Sequence, residues 1–217
     1  MCEVAKWEII LMHDWDGTHV DTMGLHALLA AKVIRKHFGL SISEARSQYL
    51  ATTGIPFDKQ LEKIFPFSSE AERKACAREY HERKIQEVYA RPKTFPGLRE
   101  ALELSRNLGY VSVISSSTEE GLIKAWAKRE GLEQYFEVIL GREHGTKTDH
   151  IKIVHGVHSG RKVFFLSDSV GDMNLPAVTI GVCVPQEKHA EFNRAGAYWV
   201  FSSPPSVEVI EKIQSNL

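Results

Sequence analysis

Residues Trp7 to Asp21 read WEIILMHDWDGTHVD, and the fold follows from this stretch. Ile9, Ile10, Leu11 and Met12 form a continuous apolar run, the pattern of a strand buried on both faces. The run stops at His13, Asp14, Trp15, Asp16 and Gly17, so two carboxylates stand where a buried strand meets solvent. On an extended backbone residues i and i+2 point the same way, which lets Asp14 and Asp16 face one pocket. Gly17 permits a sharp turn and Thr18 adds a hydroxyl just after it. Two carboxylates in a partly dry site repel each other, and they persist when a cation sits between them or one keeps a proton. A cation-bound carboxylate can act as a nucleophile, and a protonated one can give up its proton and later recover it. Taken alone, the pair fits a solvated turn equally well.

The remaining acids and hydroxyls lift that ambiguity. Tyr110 to Ile114 reads as a second strand, ending in Ser115, Ser116, Ser117 and Thr118. Ser117 with Glu120 is a capping-box signature for a helix over about 119–130, and hydroxyls at a helix N-terminus suit an anion. Phe136 to Gly141 reads as a short strand, and Lys147 opens the helix that runs to Val157. A cation at a helix start is not helped by the dipole, a mild misfit that points to a partner in a pocket. Val163 to Ser167 is another buried-type strand ending in acids, Asp168 and Asp172, which one helical turn brings together. Strands at 178–184 and 198–201 and helices at 188–194 and 207–214 complete the alternation. Ligands of open α/β sheets collect at the carboxyl ends of strands, where all of these residues fall.

Between the first strand and Thr94-Phe95-Pro96-Gly97 the pattern differs. Residues 20–90 read as four helices and no strand: Asp21 to Gly39, Ser43 to about Thr53, Pro56 to about Phe65, and Ser69 to about Tyr89. Ser41 or Ser43 caps the second, and Ser69 with Glu72 forms a capping box for the fourth. With 217 residues, 43% hydrophobic and 25% charged, the chain suits a soluble core domain carrying an insertion. A net charge of -1 argues against a nucleic-acid binder. Cys2, Cys76 and Cys183 are too few and too scattered for a disulfide framework or a zinc site. No apolar stretch approaches membrane-spanning length, and a cytoplasmic protein is expected. Of the ten histidines, His144, His150, His155 and His158 are read as surface or helix-face residues.

Together these residues resemble the haloacid dehalogenase-like superfamily of phosphotransferases. Asp14 to Thr18 (DWDGT) looks like its first motif, Val113 to Ser117 (VISSS) its second, and Leu166 to Asp172 (LSDSVGD) its fourth. Lys147 fits the loosely spaced third motif, with Lys152 as a competitor. Phe95 to Gly97 and Ala195 to Ala197 also fit, so the resemblance spans essentially the whole chain. The phosphoglycolate phosphatase and β-phosphoglucomutase branch is the nearest in pattern, because its helical cap lies between the first two motifs.

The resemblance implies an α/β fold: a three-layer Rossmann-like core with a parallel sheet over residues 1–19 and 93–217, and a helical cap over 20–92. It implies a Mg²⁺-dependent phosphatase of a small phosphorylated metabolite, acting through an aspartyl-phosphate. A phosphomutase and a non-catalytic phosphometabolite sensor are the alternatives. Asp14 is the implied nucleophile, Asp16 the general acid/base, Ser115 the donor to the phosphoryl group and Lys147 the charge-balancing cation. Mg²⁺ is expected on Asp14, the Asp16 backbone carbonyl and Asp168, with Asp172 acting through water or through Lys147. Gly17, Thr18 and Ser116 are expected around the phosphoryl group. Thr52 to Pro56, with Gly54, looks like a specificity loop, and Lys59 is placed to reach a substrate anion. Neither nucleic acid nor membrane is an expected partner, and the protein is expected to be a monomer or homodimer. Two positions depart from the family: His13 replaces a usual aromatic residue and His19 a usual leucine.

Overall fold

The computed structural model describes residues 9–53 and 55–217. Cys2, Trp7, Glu8 and Gly54 fall outside them. Strand β1 (Ile9–His13) is buried at every position and pairs in parallel with β2 (Val111–Ser115) on one side and β4 (Lys162–Ser167) on the other. A strand covered on both edges and both faces has no use for alternation, which is why its sequence is a plain apolar run. With β3 (Phe136–Leu140), β5 (Val178–Gly181) and β6 (Trp199–Val200) the sheet has the order β3-β2-β1-β4-β5-β6, parallel throughout.

Ile9, Leu11, Phe164, Leu166 and Ile180 build one core with Val209, Ile210 and Ile213. Ile10, Met12, Val113 and Phe165 build the other with Ile151 and Val154. The period-two split of β1 thus sends alternate residues into two cores. Each fully buried Ile or Leu contributes about 1.5–3 kcal/mol, so β1 anchors the sheet. The order also places the carboxyl ends of β1, β2 and β4 side by side, with His13 opposite both Ile114 and Leu166.

The chain divides into two compact units. One contains residues up to Asp21 and from Thr94 onward; the other is Thr22–Lys93. Val20 is buried, bridges to both Asp16 and Thr94, and so keeps the chain in the first unit two residues beyond the expected boundary at 19. The second unit is α1 (Met23–Phe38), α2 (Ile42–Leu50), α3 (Phe57–Ile64) and α4 (Glu70–Glu87). Gly39, with φ 74°, ends α1 in the left-handed conformation, while Ser41 with Glu44 and Ser69 with Glu72 close full capping boxes. His26 ties this unit's core together: Tyr80 Oη lies 2.6 Å from its Nδ1 and Tyr89 Oη 3.0 Å from its Nε2.

In the first unit follow α5 (Leu98–Asn107), α6 (Glu120–Glu130), α7 (Lys147–Val157), α8 (His189–Arg194) and α9 (Val207–Gln214). The expected Ser117–Glu120 capping box does not form. Glu119 is the N-cap, and the Glu120 carboxylate turns to His144 at 2.6 Å instead of back to the chain. The Glu143 carboxylate accepts from the Glu120 backbone N–H at 3.1 Å, so this helix end is already supplied with an anion. The strands expected over 178–184 and 198–201 are shorter: β5 stops at Gly181, ahead of Cys183 with its left-handed φ of 57°, and β6 keeps only Trp199 and Val200. Among the described residues no helix is long and apolar enough to cross a membrane.

Candidate active site

The loop after β1 turns on Gly17, whose φ is 72°. The Gly17 N–H donates to Val20 O at 2.9 Å and the His19 N–H to Trp15 O at 2.9 Å, closing a tight loop. A Cβ at Gly17 would fall inside the Asp168 carboxylate. Glycine is therefore required twice, for the backbone angle and for the close approach of the acid from β4. Thr18 latches the two loops: its Oγ1 accepts from the Asp168 N–H at 3.2 Å and lies 3.4 Å from Asp168 Oδ1.

Lys147, the first residue of α7, reaches the buried acids. Its Nζ lies 2.6 Å from Asp14 Oδ2 and 2.5 Å from Asp172 Oδ2. Thr146 and Asp149 form a capping box that fixes this helix start. Lys152 is exposed and pairs with Asp149 at 3.0 Å, so Lys147 is the lysine that serves the acids. Ser167 Oγ donates to Asp172 Oδ2 at 2.5 Å, and the Trp15 N–H donates to Asp14 Oδ1 at 2.7 Å. Asp172 is thus committed to Lys147 and Ser167.

Burial pushes the Asp14 carboxyl up to about 6, with Lys147 opposing and Asp172 and Asp16 adding to the rise. Burial and then Asp14 push Asp168 well above the ordinary carboxylate range. Burial would lower the Lys147 ammonium, but Asp14 and Asp172 outweigh it and hold it above the usual lysine range. Asp14, Asp168 and Asp172 against one lysine leave an excess of negative charge. Oxygen donors in that state fit a divalent hard cation. Among the described residues no three His, Cys, Asp or Glu side chains are grouped to hold a metal. The Asp14 and Asp168 carboxylates, buried and acting on each other, are oxygen donors of that kind. Mg²⁺ characteristically uses one or two carboxylates and keeps water on its other positions.

Thr118 Oγ1 donates to Asp16 Oδ2 at 2.7 Å, a contact the run SSST does not advertise. Ser115 is fully buried at the end of β2, its Oγ 2.8 Å from His150 Nδ1. Of the two expectations for His150, surface or helix-face, the second holds: it lies on the buried face of α7. Ser116 spends its N–H on Leu140 O at 3.0 Å and its Oγ on the Thr118 N–H at 3.1 Å. In the second unit Lys59 is paired with Glu62 at 2.9 Å. Gly54 lies outside the described residues.

His13 and His19 are packing residues. Both are buried, their ring centroids are 4.8 Å apart, and His19 lies 5.8 Å from Trp126 and 5.7 Å from Phe136. Burial pushes His13 down to about 3, and burial with the neighbouring His13 pushes His19 well below the usual range. None of their four ring nitrogens has a hydrogen-bond partner among the described residues.

The sequence profile of the haloacid dehalogenase-like hydrolases matches residues 11–163. "Probable phosphatase IndB" of Dickeya dadantii (strain 3937) is 29% identical over 137 residues, covering 62% of this chain and 59% of that protein. The match thus spans less than two thirds of that relative's length. Among solved structures, a haloacid dehalogenase-like family hydrolase of Streptococcus pneumoniae superposes with a TM-score of 0.76 at 17% identity, covering 96% of this chain and 99% of that one. A protein of Clostridium acetobutylicum described as a predicted phosphatase gives 0.76 at 20% identity, covering 97% and 100%. At such identities these two likenesses establish the fold alone.

Proposed function

Because this chain belongs to the haloacid dehalogenase-like hydrolase family, we propose that it is a Mg²⁺-dependent phosphatase of a small phosphorylated metabolite, working in the cytoplasm. The observation that carries the reading is Lys147 bridging Asp14 and Asp172 at 2.6 and 2.5 Å, beside Asp168. A lone carboxylate so buried would take up a proton, whereas Lys147 keeps Asp14 anionic and orients Oδ2. Asp14 attacks phosphorus, forming an aspartyl-phosphate as the alcohol leaves. Asp16, held by Thr118, gives its proton to the leaving oxygen and then takes one from the water that hydrolyses the intermediate. Ser115 donates to a phosphoryl oxygen, and Lys147 neutralises charge shared between Asp14 and the phosphoryl group.

Bound Mg²⁺ would be held by Asp14, Asp168 and the Asp16 carbonyl, and would neutralise the phosphoryl oxygens. Asp172 acts by fixing Lys147. Gly17 and Thr18, expected around the phosphoryl group, also set the loop against Asp168. The Thr22–Lys93 unit is read as a cap that selects substrate through the 52–56 segment and Lys59. Its linkers near 19–22 and 91–94 leave and re-enter the first unit at adjacent points, since Val20 bridges Thr94 and the Phe95 N–H donates to His19 O at 3.0 Å. The test is phosphate release from phosphoglycolate, hexose phosphates, nucleoside monophosphates and an aryl phosphate, with Mg²⁺ and with chelator. Metal-dependent release supports the reading, and no release from any of them overturns it.

A further inference from the structure

His150 has a fixed tautomer. Its Nε2 lies 3.1 Å from the Gly141 carbonyl oxygen, which can only accept, so Nε2 carries the hydrogen. The neutral ring then has an unprotonated Nδ1, and at 2.8 Å that atom accepts the Ser115 hydroxyl hydrogen. The Gly141 carbonyl also accepts the His144 N–H at 3.0 Å, which helps to orient it toward the ring. The proposed reaction needs the same hydroxyl hydrogen for a phosphoryl oxygen. One hydroxyl has one hydrogen and cannot serve both acceptors.

We propose that His150 takes up a proton from solvent when a phosphoryl group settles against Ser115, turning the Ser115 hydroxyl from the imidazole to the phosphoryl oxygen. In the imidazolium, Nε2–H still donates to Gly141 and Nδ1–H now donates to Ser115 Oγ, so every group stays satisfied. His150 is a positioning residue in this scheme, since it acts through Ser115. The inference rests on the phosphatase reading for the role of Ser115.

The surrounding charges suit such a switch. On its own helix His150 faces Lys147 and Asp149; from the preceding turn it faces His144, at 6.5 Å between ring centroids, which is held by Glu120 at 2.6 Å. Burial, foremost, and the nearby His144 and Lys147 keep the free ring neutral, outweighing Asp149 and the Gly141 bond. An arriving phosphoryl group brings negative charge to Ser115 and Lys147, which reverses that balance.

Nitrogen NMR of the full-length protein tests this, with the His150 signals assigned by their loss in His150→Asn. The free protein at neutral pH is expected to show the Nε2–H tautomer, and saturation with inorganic phosphate in the presence of Mg²⁺ is expected to protonate both nitrogens. Bound phosphate beside a neutral His150 overturns this inference and leaves the phosphatase reading standing. An absence of phosphate binding overturns both.

A second measurement separates linkage from mere support. In His150→Asn the amide oxygen can still accept from Ser115 but cannot take a proton. Its inhibition constant for inorganic phosphate, relative to wild type, should worsen more at pH 5.5 than at pH 8.5, by up to about tenfold for each pH unit over which one proton is taken up on binding. A constant ratio across pH would mean that His150 only props up the strand end, and the proposal falls.

Discussion

The loop from His13 to His19 has two sides, and they handle buried polarity in opposite ways. On one side Asp14 is buried but answered: Lys147 lies 2.6 Å away and the Trp15 N–H 2.7 Å away. On the other side His13 and His19 are buried and unanswered, set among Trp126 and Phe136 with no hydrogen-bond partner among the described residues. A carboxylate forced to stay charged needs a partner, because removing one from a buried pair costs about 3–5 kcal/mol. An imidazole can discard its charge instead and remain as a flat, partly apolar ring. The charged side carries the proposed chemistry, and the histidine side packs the loop against Trp126 of α6.

From that contrast, the largest effect is expected at Asp14, the proposed nucleophile. Asp14→Asn should lower phosphate release by on the order of 10⁴-fold, with folding intact by circular dichroism. Next comes the counter-charge. Lys147→Met leaves Asp14 and Asp172 facing each other, and chemical denaturation should show a loss of about 3–5 kcal/mol. Preserved stability would mean that the acids are protonated without the lysine. Thr118→Val removes one donor from Asp16, so turnover should fall about tenfold while the apparent affinity for substrate changes little.

The smallest effect lies on the histidine side. His19→Leu should stabilise the protein by about 1 kcal/mol near pH 5 and by less at pH 8. The sign follows from linkage. Folded His19 titrates well below 6.5, so as pH falls past 6.5 the unfolded chain binds a proton that the folded protein refuses. Stability is complete above that pH and is lost progressively below it. Leucine cannot titrate, so the acid limb of the stability curve, read by thermal melts across pH, should flatten.

What could be read from sequence divides along a similar line. The acid pairs were legible because Asp14 and Asp16, or Asp168 and Asp172, lie on one short segment at the end of an apolar run. The helical region was equally legible from capping residues such as Ser69 with Glu72. Contacts between distant segments were not. Lys147 and Lys152 are both plausible on spacing, and only the packing of α7 directs Lys147 to Asp14. Thr118 looked like one more capping hydroxyl, yet it bonds Asp16. Glu120 looked like a capping-box acid, yet His144 claims it. His150 was hidden among four nearby histidines. Its position three residues after Lys147, on the same helix face, was the one available signal.

The most direct test of the central claim is to quench the enzyme with acid during turnover of an aryl phosphate and map the phosphoryl group by mass spectrometry. A phosphoryl group on the peptide carrying Asp14, absent without Mg²⁺ and absent from Asp14→Asn, is the predicted result. Undiminished turnover and labelling in Asp14→Asn would contradict the account, because Lys147 would then be holding a carboxylate that does no chemistry.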